Sequence, residues 1–108
     1  MVGDKRMELS NGETSGQINE DVYVIKGETV ELGGQIVGSV FVELGGSAIL
    51  RGQVTKNFFI RAGGKAIIHG QIVKNLINDG YVEIYGMIIE KFIDNSKDSL
   101  IDTKASIP

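Results

Sequence analysis

The single histidine, His69, is the first residue to consider for chemistry in this chain of 108 residues. A zinc site needs three or four His, Cys or carboxylate ligands, and this chain contains one His and no Cys. Three copies of His69 could converge on a trimer axis, but nothing in the sequence requires a trimer. We therefore expect no metal and no cofactor.

His69 belongs to a polar column with Arg51 and Tyr85, which hold the same position in the preceding and following repeats of the sequence. If each repeat is one turn of the chain, neighbouring side chains lie roughly 5 Å apart. The column is a candidate polar site, suited to an anion, and an ordinary solvated ladder is the alternative interpretation. No Ser, Thr or carboxylate shares the column to form a nucleophile–base pair. We predict no catalytic residue and expect that the protein is not an enzyme.

The elements that position these residues are built from a recurring tripeptide. Gly-Gln-Ile or Gly-Gln-Val begins at Gly16, Gly34, Gly52 and Gly70, and Gly-Met-Ile begins at Gly86. The first three intervals are equal and the last is shorter by two positions. A fixed period over most of a chain is typical of a repeat architecture.

Apolar residues recur at the same spacing and at even-numbered positions, as in the column Val30, Ala48, Ala66 and Val82. Alternate residues of an extended chain face the same way, so such columns predict a stacked core. A second apolar series recurs at every sixth position from Val24 to Ile72. The sequence therefore predicts an all-β, single-domain fold, a triangular parallel β-solenoid with about five coils of about 18 residues. An antiparallel sandwich or barrel is the alternative, but its turn signals would recur about every 8–12 residues without this register.

The solenoid is predicted over residues 12–94, with residues 1–11 as a lead-in or N-terminal cap. Residues 95–108 form a polar C-terminal tail that is either mobile or folded back through Leu100 and Ile101. The absence of Cys favours the cytoplasm, and no apolar run is long enough to predict a membrane span. A net charge of −3 with scattered basic residues gives no general attraction to nucleic acid.

Odd-numbered columns are expected to face outward, and one of them is apolar throughout. This aromatic ladder consists of Tyr23, Phe41, Phe59, Ile77 and Ile93. Such a stripe exceeds what a soluble monomer usually exposes, which predicts a protein-binding surface. The alternatives are that the register is offset near a corner, so that the stripe does not face outward, or that Met1–Leu9 or Leu100–Ile107 covers it. Two further rows are assigned to the same surface: Val37, Val73 and Ile89, which share a column with Thr55, and the charged row Glu43, Arg61 and Asp79.

The segments Gly34-Gln35-Ile36-Val37-Gly38 and Gly70-Gln71-Ile72-Val73 resemble elements that occur about once per coil in bactofilin-like, polymer-forming β-helix proteins. The similarity covers about residues 16–93. It implies a non-catalytic scaffold that assembles with copies of itself. A small acidic immunity or antitoxin-type protein that neutralises a partner toxin is the alternative. An enzyme similar to the hexapeptide-repeat acyltransferases is third. The expected partner is therefore a protein, either a second copy or a different chain.

Overall fold

The computed structural model describes residues 7–8, 12–14 and 16–108, with side chains from Gly16 onward. Short strands follow one another along the whole described chain. They are β1 (Met7–Glu8), β2 (Gly12–Thr14), β3 (Gln17–Ile18), β4 (Val22–Val24), β5 (Thr29–Leu32), β6 (Gln35–Ile36), β7 (Val40–Val42), β8 (Ser47–Leu50), β9 (Gln53–Val54), β10 (Phe58–Ile60), β11 (Lys65–Ile68), β12 (Gln71–Ile72), β13 (Asn75–Asn78), β14 (Tyr81–Ile84), β15 (Met87–Ile88), β16 (Lys91–Asp94) and β17 (Ser99–Ile101).

Every third strand belongs to the same sheet, so the chain winds through three sheets in turn. Sheet A has the order β1-β4-β7-β10-β13-β16, sheet B the order β2-β5-β8-β11-β14-β17, and sheet C the order β3-β6-β9-β12-β15. All neighbouring strands are parallel, and Val40, Phe58 and Leu76 pair in register across three coils. This arrangement confirms the predicted parallel β-solenoid and the length of its coil.

From β4 to β16, even-numbered residues face the interior, as the sequence predicts; in β17 the inward residue is the odd-numbered Ile101, which pairs with Ile84. Phe58 is the largest fully buried side chain, and the column through Val24, Val42 and Ile60 is inaccessible to solvent. Each inward side chain packs against its counterparts one coil above and below, because the strands are in register. The coils are therefore held together mainly by burial of aliphatic surface along the solenoid axis.

Glycine is required where the chain enters sheet C, because successive coils meet there backbone to backbone. A Cβ on Gly52 would overlap the carbonyl oxygen of Gly34, and a Cβ on Gly70 would overlap that of Gly52. Gln53 and Gln71 donate backbone N–H groups to these same glycine carbonyls, at 3.0 and 2.9 Å. The glycine of the tripeptide thus permits the closest approach between coils.

The glutamine of the tripeptide faces outward and forms a side-chain ladder along sheet C. Gln35 Nε2 donates to Gln53 Oε1 at 2.7 Å, and Gln53 Nε2 donates to Gln71 Oε1 at 2.9 Å. Asn57 and Asn75 form a similar contact at the corner before sheet A, where Asn75 Nδ2 donates to Asn57 Oδ1 at 3.1 Å. These amides stabilise the stack of coils from outside the core.

One corner of the solenoid is shorter than its counterparts, and this accounts for the shorter final interval between tripeptides. Ile60 pairs with Asn78 at the regular interval, whereas Lys65 pairs with Tyr81 at an interval shorter by two positions. The corner between β13 and β14 therefore has two residues fewer than the corner between β10 and β11. The strands on either side keep their register.

Asn78 occupies an inward position next to the short corner, in the column of Val24, Val42 and Ile60. Its side chain is fully buried. The amide nitrogen donates to Asp94 Oδ1, Ser96 Oγ and the Asp98 carbonyl oxygen at 2.9–3.1 Å. Its oxygen accepts the Gly80 N–H at 3.1 Å. Asn78 thus replaces an aliphatic contact with hydrogen bonds that fix the following corner.

Residues 95–108, expected to be either mobile or folded back, continue the coil. β17 pairs with β14 in sheet B, and Ser106 forms a bridge with Met87 at the end of sheet C. Ala105 and Ile107 pack against the core. This segment follows sheets B and C, so it does not lie over sheet A. At the other end β1 pairs with β4, and the covering role considered for Met1–Leu9 falls largely outside the described residues.

Candidate protein-binding face

The aromatic ladder lies on the outer face of sheet A, one residue per coil. Tyr23 pairs with Phe41, Phe41 with Phe59, Phe59 with Ile77 and Ile77 with Ile93. The Tyr23 and Phe41 rings are stacked with centroids 4.6 Å apart, and those of Phe41 and Phe59 are 4.9 Å apart. The first four side chains are half-buried and Ile93 is exposed. The structure therefore brings all five predicted residues onto one continuous row.

The charged row runs beside the ladder, at the residue after the strand in successive coils. Glu43, Arg61 and Asp79 donate their backbone N–H groups to the carbonyl oxygens of Val24, Val42 and Ile60, respectively. The Arg61 guanidinium lies 5.3 Å from the Phe41 ring centroid and 5.5 Å from that of Phe59. Its Nε is 3.8 Å from Glu43 Oε1. Arg61 thus joins the charged row to the two phenylalanine rings through cation–π contacts.

Val37, Val73 and Ile89 lie on the neighbouring side of the solenoid, directly after the strands of sheet C. Their backbone N–H groups donate to the carbonyl oxygens of Ile18, Val54 and Ile72, respectively. Val37 and Ile89 are exposed, and Val73 is half-buried. One corner of the coil separates this row from the aromatic ladder. The predicted surface therefore consists of two rows on adjacent sides.

The predicted polar site is only partly assembled. The His69 and Tyr85 rings are stacked with centroids 5.0 Å apart. Arg51 instead contacts Glu31, with its Nη2 3.5 Å from Glu31 Oε2. The stacked pair also adjoins the carboxylate of Glu83, which disfavours an anion at this position.

Glu83 is the centre of a cluster that the sequence predictions did not include. The Tyr81 and Tyr85 hydroxyls each donate to a different oxygen of the Glu83 carboxylate, both at 2.8 Å. The two hydroxyl groups, Tyr81 first, hold the pKa of Glu83 below its ordinary value. The same hydrogen bonds raise the pKa of both tyrosines. The alternation Tyr-x-Glu-x-Tyr was the available signal, since residues two apart on a strand share a face.

We expect Glu83→Gln to weaken the pH dependence of stability at both ends of the pH range. The lowered Glu83 pKa gives stability that is present above about pH 4.3, its ordinary pKa, and lost as the pH falls through the folded-state pKa. The raised tyrosine pKa values give stability that is present below about pH 10 and lost as the pH rises through them. The difference in melting temperature between native protein and variant should be largest near neutral pH.

Glu31→Gln is the matched control, because Glu31 lies in the same column and contacts Arg51. Glu31→Gln should leave the loss of stability at alkaline pH unchanged. If Glu83→Gln also leaves that loss unchanged, Glu83 is not the cause of the raised tyrosine pKa values.

A cleft of about 480 Å³ lies at the short corner between sheets A and B. It is lined by Gly63 and Gly64 in one coil, by Asp79 and Gly80 in the next, and by Ser96 and Asp98 in the coil after that. The middle one of these three corners is the one with two residues fewer. The Ser96 hydroxyl donates to the Gly80 carbonyl at 2.7 Å, which ties its two walls together. The cleft thus lies directly after the buried Asn78, at the corner where the interval between paired residues changes.

Among the described residues, no group of three or more His, Cys, Asp or Glu side chains is placed to hold a metal ion. In the part of the chain that the structure describes, no helix is long and apolar enough to cross a membrane. Comparisons with protein-family models, with curated proteins and with solved structures each gave no match to this chain.

Proposed function

We propose that the protein is a non-catalytic, bactofilin-like scaffold that binds protein through the outer face of sheet A, with copies of itself as the first partner. The observation that carries this proposal is the aromatic ladder. It runs through five successive coils and its stacked rings are held in register by the strands beneath them. A rigid row of partly exposed apolar side chains requires little ordering on binding, which lowers the entropic cost of association.

The other two faces differ from sheet A in chemistry, which supports the choice of this face. On sheet C the corresponding outward column is the hydrogen-bonded glutamine ladder. On sheet B the apolar pair Ile49 and Ile67 is flanked in register by Glu31 and Glu83. Charged residues are depleted at the cores of protein interfaces, whereas aromatic residues and Arg are enriched. The outer face of sheet A, with Arg61 over two phenylalanine rings, has the composition closest to that of an interface.

The C-terminal end of the solenoid is a second surface that could serve the same function. Ile101 continues the inward column of Leu50, Ile68 and Ile84, yet it is 44% exposed, and among the described strands none pairs with β17 on its far side. Phe92, also inward, is only half-buried. β16 and β17 are the last strands of sheets A and B in the described chain. Unpaired strand edges above an uncovered core favour end-to-end association.

The double substitution Phe41→Glu with Phe59→Glu should abolish self-association. It places two carboxylates in the centre of the proposed interface, where burial of charge is unfavourable. Light scattering over protein concentrations up to about 1 mM, where weak complexes form, should show the molar mass of the native protein rising and that of the variant constant. The matched control is Ile49→Glu with Ile67→Glu, which makes the same change at adjacent coils of sheet B and should leave association intact.

Circular dichroism must show that both double variants retain the β-sheet spectrum. If the glutamate variant unfolds, Phe41→Thr with Phe59→Thr introduces β-branched side chains, which favour strands, and provides the test. A native protein that stays monomeric throughout would disprove self-association and favour a different protein as the partner. Loss of association in Ile101→Glu but not in the phenylalanine variant would move the interface to the C-terminal end.

A further inference from the structure

The outer face of sheet A carries a charge pattern that specifies how two copies would meet. We propose that two copies pair sheet A against sheet A with their solenoid axes antiparallel, about a twofold axis that runs parallel to the strands between β7 and β10. This inference rests on the proposed self-association and adds its geometry. It makes Glu43 and Arg61 the residues that determine orientation.

A twofold axis parallel to the strands reverses the order of the coils and preserves position along each strand. Every outward column therefore faces itself in reverse order. Sheet A has six strands, and the midpoint of β1-β4-β7-β10-β13-β16 lies between β7 and β10. Complete overlap of the two faces thus places the axis midway between the rungs of Phe41 and Phe59.

At this axis the charged row becomes complementary to itself. Glu43 of one copy faces Arg61 of the second copy, and Arg61 faces Glu43 in return. The two side chains are one coil apart and already 3.8 Å from each other within one chain, so they can form a network of four alternating charges across the twofold. Side chains exposed to 35% and 46% are free to make this exchange without refolding. Asp79, further from the axis, faces Ile25 at the rim, where water can solvate its carboxylate.

The apolar residues match in the same arrangement. Phe41 faces Phe59 of the second copy and Tyr23 faces Ile77, whereas Ile93 at the outermost rung faces the position of Glu8 on β1. Facing sheets pack about 10 Å apart and neighbouring rungs are about 4.8 Å apart, so the side chains of opposite ladders can interdigitate. The aromatic rings at the centre are those that Arg61 covers in the single chain. Full overlap, apolar contact at the four central rungs and opposite charges therefore coincide at one axis.

A pair with parallel solenoid axes lacks this complementarity. A twofold axis along the solenoid axis keeps the order of the coils and reverses the direction of each strand, so the start of a strand faces the end of the same strand in the second copy. Glu43 would then face Ser39 of the second copy, and Arg61 would face Asn57. Both partners are uncharged, and their side chains already take part in the corner hydrogen bonds. This orientation pairs no opposite charges in the centre of the face.

An antiparallel pair with the axis moved by one coil is also less complementary. With the axis between β10 and β13, Arg61 would face Asp79 of the second copy, but Glu43 would face Asn95. Asp79 already accepts a hydrogen bond from Asn95 Nδ2 at 2.8 Å. The first two strands of sheet A, β1 and β4, would also face no strand of the second copy. The central axis keeps all six strands of each sheet in the contact.

The dimer is expected to be weak. Six strands about 4.8 Å apart and four residues wide give a flat area of roughly 400 Å² per copy. Stable interfaces bury about 800 Å² per partner. Dissociation constants in the upper micromolar range or above are therefore expected, which sets the concentration at which the test must be made.

The test uses Glu43→Arg and Arg61→Glu as separate proteins. In each variant alone, like charges face each other across the twofold, and the dissociation constant from sedimentation equilibrium should rise at least tenfold. An equimolar mixture should form a heterodimer, because arginines at both positions of one copy face glutamates at both positions of the other. The double variant, Glu43→Arg with Arg61→Glu, should also associate with itself. The matched controls are Glu31→Arg and Arg51→Glu, which alter the comparable pair on sheet B and should not weaken association.

The outcomes separate this inference from the proposed function. A native protein that is monomeric at all concentrations removes the proposed function and this inference with it. If the native protein associates and the single variants associate equally well, self-association stands and the antiparallel geometry is wrong. The same conclusion follows if the native protein associates but the mixture of the two variants forms no heterodimer. Each variant must melt close to the melting temperature of the native protein. We expect this because the substituted side chains are partly exposed.

Discussion

Replacing Gly52 by alanine should cost more than about 3 kcal/mol of folding free energy, or prevent folding. The new Cβ would overlap the Gly34 carbonyl oxygen and crowd Gly33. The backbone cannot move aside there, because the Gly34 carbonyl accepts the Gln53 N–H and the strands on both sides are in register. Relief would require the two coils to separate, which would open the core along its whole width. Urea denaturation followed by circular dichroism measures the loss.

Gly27→Ala is the matched control for this prediction. Gly27 has a φ of +86° but nothing within 4 Å of the position its Cβ would take. Alanine there costs only the strain of left-handed backbone, about 1–2 kcal/mol. If both variants lose the same stability, conformational freedom rather than coil spacing is the reason for glycine at Gly52.

Asn78→Leu should destabilise the protein by about 2–4 kcal/mol, even though leucine is similar to it in size and its column is otherwise aliphatic. The substitution leaves the Gly80 N–H and the Asp98 carbonyl oxygen without the partner they have now. It also removes the amide that holds Asp94 and Ser96 in the last corner. Thermal unfolding monitored by circular dichroism is the measurement.

Asn75→Leu provides the comparison, since the half-buried Asn75 side chain lies on the corner ladder and donates to Asn57. Its replacement should cost about 1 kcal/mol or less. A neutral or stabilising effect of Asn78→Leu would mean that the corner after β16 does not depend on the buried amide.

The backbone of this protein could be predicted from its sequence because one element marks every coil. The glycine fixes the corner and the isoleucine two residues later fills the core. Whether a position is odd-numbered or even-numbered then predicts which way its side chain points. Tyr23, Phe41 and Phe59 could therefore be placed on one outward row from the sequence. A two-residue side-chain period with one buried face leaves little freedom in register.

The side-chain partners across coils were harder to predict. The repeat period shows which residues share a column, but a long side chain can also reach residues in the neighbouring columns. Arg51 was expected beside His69 in its own column. It contacts Glu31 instead, in the adjacent column one coil below. Diagonal neighbours on a sheet are only about 7–8 Å apart at Cα, which arginine spans. Glu83 and Tyr81, and their link to Tyr85, were missed for a related reason, because a column does not show contacts between residues along one strand.

Asn78 shows a different limit of prediction from the repeat. It stands one coil after Ile60, with which it pairs at an inward position, and its polarity marks the coil at which the corner shortens. The shorter interval between the last two tripeptides indicated that two residues were missing from one coil, but not which corner lacked them. The buried amide is the signal that could have located it, because a buried polar group needs partners close at hand.

The central claim, that the protein associates through the outer face of sheet A, can be tested most directly by NMR on the native chain. Backbone and side-chain resonances should be recorded from about 20 μM to about 1 mM, a range that spans weak association. Concentration-dependent shifts are predicted at Phe41, Phe59 and Arg61, with Gln53 on sheet C and Ile67 on sheet B unchanged. Shifts confined to β16 and β17, or no shifts at any concentration, would contradict the claim.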